Sequence, residues 1–245
     1  MGFSPFETEI LKPWTRRLGC SLRILAEPGT TLQPAERNRE SRTLAVTVWH
    51  AGEHAVVQAP SALLRLIRAR LATLPPQTTV EAEDLVGALG HSGTVSNEVT
   101  RFHYLNPETF QPVDPPGGYR LRTLKRDDRF ALSTLQDACE PEAVDEAEVS
   151  VEDTIGMVCL QEDRIVAVAT GFWFLSFMDI GVLTHPDFRR RGLGAAVVTA
   201  LAKWCQVRGI TAQYRYDARN TGSRRLAETL HFEPMIRQER LDVQR

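Results

Sequence analysis

The 245-residue chain has few cysteines and no long apolar run. No stretch reaches the eighteen or so apolar residues that a transmembrane helix needs, and the first twenty residues mix charged with apolar side chains, unlike a signal peptide. We therefore expect a cytoplasmic protein that does not engage a membrane. The four cysteines have no C-x-x-C spacing and no histidine at ligand spacing, so we expect neither a disulfide framework nor a metal site. They are Cys20, Cys139, Cys159 and Cys205.

The chain also lacks an excess of charge of either sign. Lysine and arginine number 29 against 31 aspartates and glutamates, a net charge of −2, so no overall attraction to nucleic acid is expected. Lysine occurs only three times, so arginine clusters arise often and an arginine triplet alone indicates little. The 42% hydrophobic and 24% charged composition is typical of a globular chain.

A segment rich in proline and glycine, Gln111–Gly118, predicts a boundary between two domains. We place an N-terminal α/β domain over residues 1–115 and a C-terminal domain over residues 116–245. In the first domain, Thr43–Trp49 and His54–Ala59 read as two strands around a turn, followed by a helix. No residue pattern in this domain indicates chemistry.

The C-terminal domain shows a clear alternation of elements, β-α-β-β-β-α-β-α-β, which predicts an α/β (α+β) fold. An acidic stretch, Pro141–Val149, reads as a mobile surface loop, and its alternative interpretation is a surface that attracts a cationic amine. The predicted strands are Tyr119–Leu124, Thr154–Leu160, Ile165–Phe174, Phe177–Thr184, Thr211–Tyr216 and Glu233–Leu241, and the helices are Asp127–Cys139, one from Leu193 to Trp204, and one that opens at Asn220.

The most informative segment is 179–195, where an apolar strand enters a helix through a turn rich in arginine and glycine. Glycines let backbone N–H groups converge, the helix presents its positive dipole end, and arginines add charge. Such a turn is an anion site, and a pyrophosphate is the expected ligand. Its residues are Arg189, Arg190, Arg191, Gly192, Leu193, Gly194 and Ala195.

The pattern Arg189-x-x-Gly192-x-Gly194 resembles the acyl-CoA signature of the GNAT superfamily of N-acetyltransferases. A second segment, Asp217–Phe232, resembles the family's Asn-x-x-Ser…Gly-Phe ending. The two together look like a bacterial GNAT subgroup that includes the zwittermicin A resistance acetyltransferase, whose members carry an additional N-terminal α/β region. The resemblance implies a mixed, mostly antiparallel sheet flanked by helices, with acetyl-CoA as co-substrate and no metal. Whether the N-terminal region is a degenerate GNAT-like half is left open.

The resemblance also implies where the cofactor lies. The pantetheine arm would pair with the strand that ends at Val182-Leu183-Thr184, and a backbone N–H of Leu183 or Thr184 would polarise the thioester carbonyl. Asn220 and Ser223 would lie near the arm, and they can also act as a helix cap.

Catalytic residues are less marked. The family's tyrosine that protonates the leaving thiolate is replaced by Ala227, so Tyr214 or Tyr216 is the expected substitute, and we select Tyr216. Asp179 is the first candidate for the general base, with a solvated strand carboxylate as the alternative. The implied reaction is direct attack of a primary amine on the thioester in a ternary complex.

The acceptor would be a small molecule, an antibiotic or a peptide, and a homodimer is left open. The competing interpretation is a non-catalytic acyl-CoA-binding or protein-interaction module, which the missing tyrosine favours.

Overall fold

A computed structural model describes residues 2–35, 44–89 and 97–243. The helices are α1 Pro5–Leu18, α2 Leu22–Leu25, α3 Ser61–Leu71, α4 Ala82–Leu89, α5 Arg129–Asp137, α6 Pro141–Ala147, α7 Leu193–Gln206 and α8 Thr221–Thr229. The strands are β1 Gly29–Pro34, β2 Leu44–Ala51, β3 His54–Ala59, β4 Asn97–Leu105, β5 Tyr119–Thr123, β6 Ile155–Gln161, β7 Arg164–Phe174, β8 Phe177–Thr184, β9 Ala212–Asp217 and β10 Phe232–Val243. None of the described helices combines the length and the apolar character needed to cross a bilayer.

The chain divides into two compact units. The first contains Met1–Phe102, Asp217–Arg219 and Pro234–Arg245, and the second contains His103–Tyr216 and Asn220–Glu233. Most of the C-terminal strand β10 is therefore grouped with the first unit, whereas the boundary predicted from sequence assigns everything after residue 115 to one domain. That boundary remains a prediction about which segments fold together.

The first unit contains strands in the order β1-β3-β2-β10. β2 and β3 form the antiparallel hairpin that the sequence predicts, although Thr43 lies outside the described residues. The hairpin turn requires Gly52, because its φ is +60° and a Cβ there would lie 2.5 Å from the carbonyl oxygen of Leu25. β1 joins β3 in parallel and β10 joins β2 antiparallel. Apolar residues of α3 and α4, such as Ile67 and Leu85, pack on this sheet.

The second unit contains strands in the order β9-β8-β7-β6-β5. β5 to β8 are successively antiparallel, and β9 joins β8 in parallel. One apolar cluster unites α7 and α8 with β8 and β9, and a second unites α5 and the end of α6 with β6, β7 and β8. Helices thus cover both faces of a mostly antiparallel sheet, which confirms the predicted fold class.

One element was predicted wrongly. The acidic stretch expected to be a mobile loop contains the helix α6, Pro141–Ala147. Proline at its first position fits a helix start, where its missing N–H has no helical partner to lose. Ala147 and Val149 are buried in the second cluster, so apolar contacts at two positions order a segment whose composition suggested only solvated surface.

Candidate functional site

Strands β8 and β9 separate after a short stretch of pairing. β8 pairs with β7 along its whole length, but its pairing with β9 consists of Met178 with Ala212 and Asp179 with Gln213. Beyond Asp179 no strand pairing between described residues joins β8 to β9. The rest of β8 therefore has an open edge inside the second unit.

The direction of the backbone groups on this open edge follows from strand alternation. The Met178 N–H donates to the Thr211 carbonyl oxygen, on the β9 side, whereas the His185 N–H donates to the Val166 carbonyl oxygen, on the β7 side. Because successive residues direct their backbone groups to opposite sides, every second residue after Met178 faces the opening. These residues are Ile180, Val182 and Thr184.

The α7 helix begins at the end of this edge without a side-chain cap. Its N-cap is Gly192, with φ of +77°, and the first helical hydrogen bond runs from the Ala196 N–H to the Gly192 carbonyl oxygen at 3.0 Å. The N–H groups of the first helical turn therefore have no partner within the helix. A Cβ on Gly192 would meet no described atom within 4 Å, whereas a Cβ on Gly194 would lie 3.3 Å from Thr184 Oγ1. The turn is thus open at Gly192 and packed against the β8 end at Gly194.

Two of the three arginines in the turn make contacts within the protein. Arg189 donates to both carboxylate oxygens of Glu140, at 2.6 and 3.3 Å, and this contact lowers the pKa of the Glu140 carboxyl. Arg191 donates to the Tyr119 hydroxyl at 3.1 Å and to the Asp187 carbonyl oxygen at 2.9 Å. Arg190 has φ of +62° and is exposed, and it forms no hydrogen bond or ion pair with any residue that the structure describes.

Asp179, the predicted base, is buried in a polar network. Its side chain is 2% exposed, its Oδ1 accepts from Gln213 Nε2 at 2.9 Å, and its Oδ2 accepts from Arg215 Nε. The Tyr104 hydroxyl donates in turn to Gln213 Oε1 at 2.7 Å. Burial raises the pKa of the Asp179 carboxyl, and the charge of Arg215 and the Gln213 hydrogen bond oppose that rise. The geometry therefore gives each oxygen of Asp179 a donor within the protein.

The end of α6, which belongs to the acidic stretch whose alternative interpretation is a surface for a cationic amine, lies on β8. A Cβ on Gly181 of β8 would lie 2.0 Å from the Ala147 carbonyl oxygen, so the α6 backbone lies directly on this strand. Glu148 accepts a hydrogen bond from Arg215 Nη2, and Glu146 Oε2 accepts from Asn220 Nδ2 at 2.6 Å. Residues 146–148 thus contact β8, β9 and the N-cap of α8. Because the sequence predicted a loop here, it did not predict these contacts.

Tyr216 lies with Tyr214 on the face of the sheet that α7 covers. Its hydroxyl lies 3.0 Å from His103 Nε2, and His103 Nδ1 lies 3.1 Å from the Phe232 carbonyl oxygen. A carbonyl oxygen only accepts, so Nδ1 carries the proton and Nε2 accepts from Tyr216. The Tyr214 hydroxyl is hydrogen-bonded to Ser223, and burial raises its pKa. His103 is 7% exposed.

The two predicted arm contacts in α8 form a helix cap. Asn220 is the N-cap residue, and its Oδ1 accepts from the Ser223 N–H at 2.9 Å. The Ser223 hydroxyl forms the hydrogen bond with Tyr214. The cap therefore fixes Ser223 close to the tyrosine pair.

Among the described residues, one group could in principle hold a metal ion, and it lies in the first unit. Ligand atoms of His50, Glu81 and Glu239 lie within 4.8 Å of one another. Arg237 already contacts Glu81 and lies 3.3 Å from Glu239, and the Ala82 N–H donates to Glu239 at 3.1 Å. Burial opposes the change, but the His50 hydrogen bond at 2.6 Å, a hydrogen bond with Glu81, the Ala82 N–H and the charge of Arg237 together lower the pKa of Glu239 to about 2.

The sequence model of the GNAT acetyltransferase family matches residues 93–237. A GNAT-family acetyltransferase from Colwellia psychrerythraea is 14% identical, with a TM-score of 0.52, over 74% of this chain and 71% of its own. A GCN5-related N-acetyltransferase from Sphaerobacter thermophilus is 15% identical, with a TM-score of 0.50, over 83% of this chain and 61% of its own. At such identities these structures show the fold alone. No curated protein sequence matches the chain.

The family match covers more than half of the chain, and it includes the open β8 edge, the arginine–glycine turn and the α8 cap. The protein therefore belongs to the GNAT acetyltransferase family and is an acyltransferase.

Proposed function

We propose that this protein binds acetyl-CoA in the second unit and transfers the acetyl group to a primary amine, by direct attack in a ternary complex. One observation carries the proposal: the open edge of β8 ends where the uncapped start of α7 begins, with Thr184 and Gly194 in contact. An unpaired strand edge suits the amides of a pantetheine arm, and an uncapped helix start suits a pyrophosphate. GNAT acetyltransferases use acetyl-CoA as co-substrate.

The turn residues fit the pyrophosphate. The N–H groups of Leu193, Gly194 and Ala195 have no helical partner, and Gly192 leaves open space in front of them. Arg190 is the arginine that can turn to the phosphates without losing a contact to a described residue. Arg189 and Arg191 would instead support the turn from Glu140 and Tyr119.

The arm and the thioester would lie along β8. Val182 and Thr184 direct their backbone groups to the opening, whereas Leu183, like His185, directs its backbone groups to β7. The alternation therefore favours the Thr184 N–H over that of Leu183 as the donor to the thioester carbonyl. Ser223 and Asn220 would contact the arm from α8.

Acetyl-CoA supplies an activated acetyl group as a thioester. The protein's own residues orient the amine, accept its proton and protonate the sulfur that leaves. The open edge of β8 and the α8 cap would hold acetyl-CoA. The amine would approach from the side where α6 ends, because Glu146 and Glu148 contact α8 and β9 there.

The tyrosine that we propose as proton donor is tested by Tyr216→Phe. We expect kcat to fall about 100-fold, the lower end of general acid catalysis, with the acetyl-CoA Kd unchanged. Tyr214→Phe is the matched control, because both tyrosines are buried on the same face of β9. Steady-state kinetics would report the loss of catalysis. Thermal unfolding would report the loss of stability caused by removing the Tyr216 hydroxyl that donates to His103 Nε2. A fall in kcat for Tyr214→Phe alone would transfer the role to Tyr214.

Calorimetric titration with acetyl-CoA and thiol release against a panel of primary amines test the proposed function. We expect binding of acetyl-CoA and amine-dependent thiol release. Binding without release by any amine would support a non-catalytic acyl-CoA-binding module, which the buried Ala227 at the family's tyrosine position favours. Absence of binding would contradict the proposal.

A further inference from the structure

We propose that Glu148 is the carboxylate that receives the acceptor's ammonium group and takes its proton, and that Asp179 positions it through Arg215. This inference rests on the proposed amine acetylation. It reassigns the base from the strand carboxylate that the sequence suggested to one at the end of α6.

Asp179 has no oxygen available for an acceptor. Its side chain is 2% exposed, and Gln213 and Arg215 each donate to a different oxygen. An amine could reach it only by displacing one of these donors from a buried site, which would leave polar groups without partners. Asp179 therefore suits the role of a fixed counter-ion for Arg215.

Glu148 is accessible and has one oxygen available. Its side chain is 53% exposed, and Arg215 Nη2 donates to Oε2. Oε1 accepts no hydrogen bond from any described residue. The Arg215 contact fixes one edge of the carboxylate and directs the other edge to the solvent side, where an ammonium group can bind.

The backbone holds Glu148 in place through an unfavourable conformation. Its φ is +49°, a left-handed conformation that is rare outside glycine, and its N–H donates to the Val144 carbonyl oxygen as the C-cap of α6. The preceding residue, Ala147, lies against Gly181, where no side chain could be accommodated. Retained strain of this kind occurs where a side chain must occupy a particular position.

The position of Glu148 matches the separation of the strands. Its partner Arg215 lies two residues beyond Gln213, the last residue of β9 that pairs with β8. Glu148 therefore lies beside the opening, on the sheet face opposite the tyrosines. A donor thioester at the Thr184 end and an amine on Glu148 would approach each other across this opening.

Charges around Glu148 favour a cationic acceptor. Arg215 and Asp179 face it from β9 and β8, Glu146 lies on its own helix, and Tyr214 is near Glu146 and Asp179. Three carboxylates and one guanidinium leave a local excess of negative charge. Such an excess attracts an ammonium ion.

In the proposed step, the ammonium group gives one proton to Glu148, and the freed nitrogen lone pair forms the N–C bond to the acetyl carbonyl carbon. The C–S bond breaks and its electron pair leaves with sulfur, which takes a proton from Tyr216 to give the CoA thiol, and Tyr216 regains a proton from solvent. The second proton on nitrogen leaves to solvent, and Glu148 returns its proton to solvent.

The test compares Glu148→Gln with Glu142→Gln, a charge-matched control on the same helix that is exposed and forms no ion pair with any described residue. The probe amines are Nα-acetyl-lysine amide, 1,5-diaminopentane and benzylamine, assayed by thiol release from pH 6.5 to 10. We expect Glu148→Gln to lower kcat/KM about 100-fold near pH 7 and to approach the unmodified enzyme near pH 10. A lysine-like amine with a pKa of about 10.4 is roughly 30% unprotonated at pH 10, against less than about one part in a thousand at pH 7. Glu142→Gln should behave as the unmodified enzyme throughout.

Asp179→Asn provides the second comparison. As a positioning residue it should raise KM and lower the melting temperature while the shape of the pH profile stays that of the unmodified enzyme. An unchanged pH profile for Glu148→Gln, or an altered one for Asp179→Asn alone, would overturn the inference. Calorimetry with acetyl-CoA distinguishes failure of this inference from failure of the proposed function. If the unmodified enzyme binds no acetyl-CoA, the proposed function is refuted. If it binds acetyl-CoA normally but the pH profiles assign the base to another residue, only the role of Glu148 is refuted.

Discussion

Replacing Gly192 with aspartate is expected to abolish acetyl-CoA binding and leave the fold intact. The N-cap position has φ of +77° and open space around its missing Cβ, so the new carboxylate would occupy the place where a pyrophosphate meets the helix N–H groups. It would also repel the phosphate charge. We expect Kd to rise at least about 100-fold, equivalent to about 2.8 kcal/mol, in calorimetric titration.

Gly209→Asp is the matched control for this experiment. Gly209 follows the same helix, has φ of +64°, and has no described atom within 4 Å of a built Cβ. An aspartate at this C-terminal end meets the unfavourable pole of the helix dipole, so its cost in stability should be at least as large as at Gly192. Equal loss of acetyl-CoA binding in both variants would indicate a general loss of structure and contradict the location of the site.

Gly181→Ala is expected to have the largest effect on stability. The added methyl group would lie 2.0 Å from the Ala147 carbonyl oxygen, a backbone atom, so α6 must move away from β8. We expect a loss of about 2–3 kcal/mol in unfolding free energy, typical of overpacking. This loss corresponds to a fall of roughly 4–12 °C in melting temperature for a chain of this size.

Activity should fall further than stability predicts, because the same displacement moves Glu148 from Arg215. Gly117→Ala serves as the control in the same unit, since a Cβ on Gly117 would meet no described atom within 4 Å and its φ is not positive. Calorimetric unfolding and kcat/KM with the probe amines would be measured for both variants. A Gly181→Ala enzyme with the melting temperature of the control would contradict the close approach of α6 to β8.

The fold of the second unit was predictable because its elements are strongly periodic and its turns are short. Local sequence patterns predict the strands around Gln161–Arg164 and the helix after Gly192. α6 was missed because its ordering depends on two buried residues, Ala147 and Val149, whose burial is visible only after packing. Composition gives no information about such tertiary contacts.

The sequence suggested the cofactor side of the proposed site through local patterns. On the proposed acceptor side it suggested only that the acidic stretch Pro141–Val149 could attract a cationic amine. Glycine spacing at Gly192 and Gly194 follows from the need for free N–H groups in one turn. The contacts among Glu148, Asp179 and Arg215 join residues 36 and 67 positions apart, so no local pattern predicts them. Asp179 was predicted as the first candidate for the general base, but the sequence did not predict its burial or its two hydrogen-bond donors.

The bidentate contact between Arg189 and Glu140 has a thermodynamic consequence. α6 lies between Glu140 and its C-cap residue Glu148, so one short helix connects the proposed diphosphate turn to the proposed acceptor carboxylate. If a diphosphate bound at this turn strengthens or weakens the Arg189–Glu140 contact that supports it, the anchoring of the helix changes, and so does the affinity for the second substrate. Thermodynamic linkage then requires the acceptor to alter the affinity for the donor by the same factor.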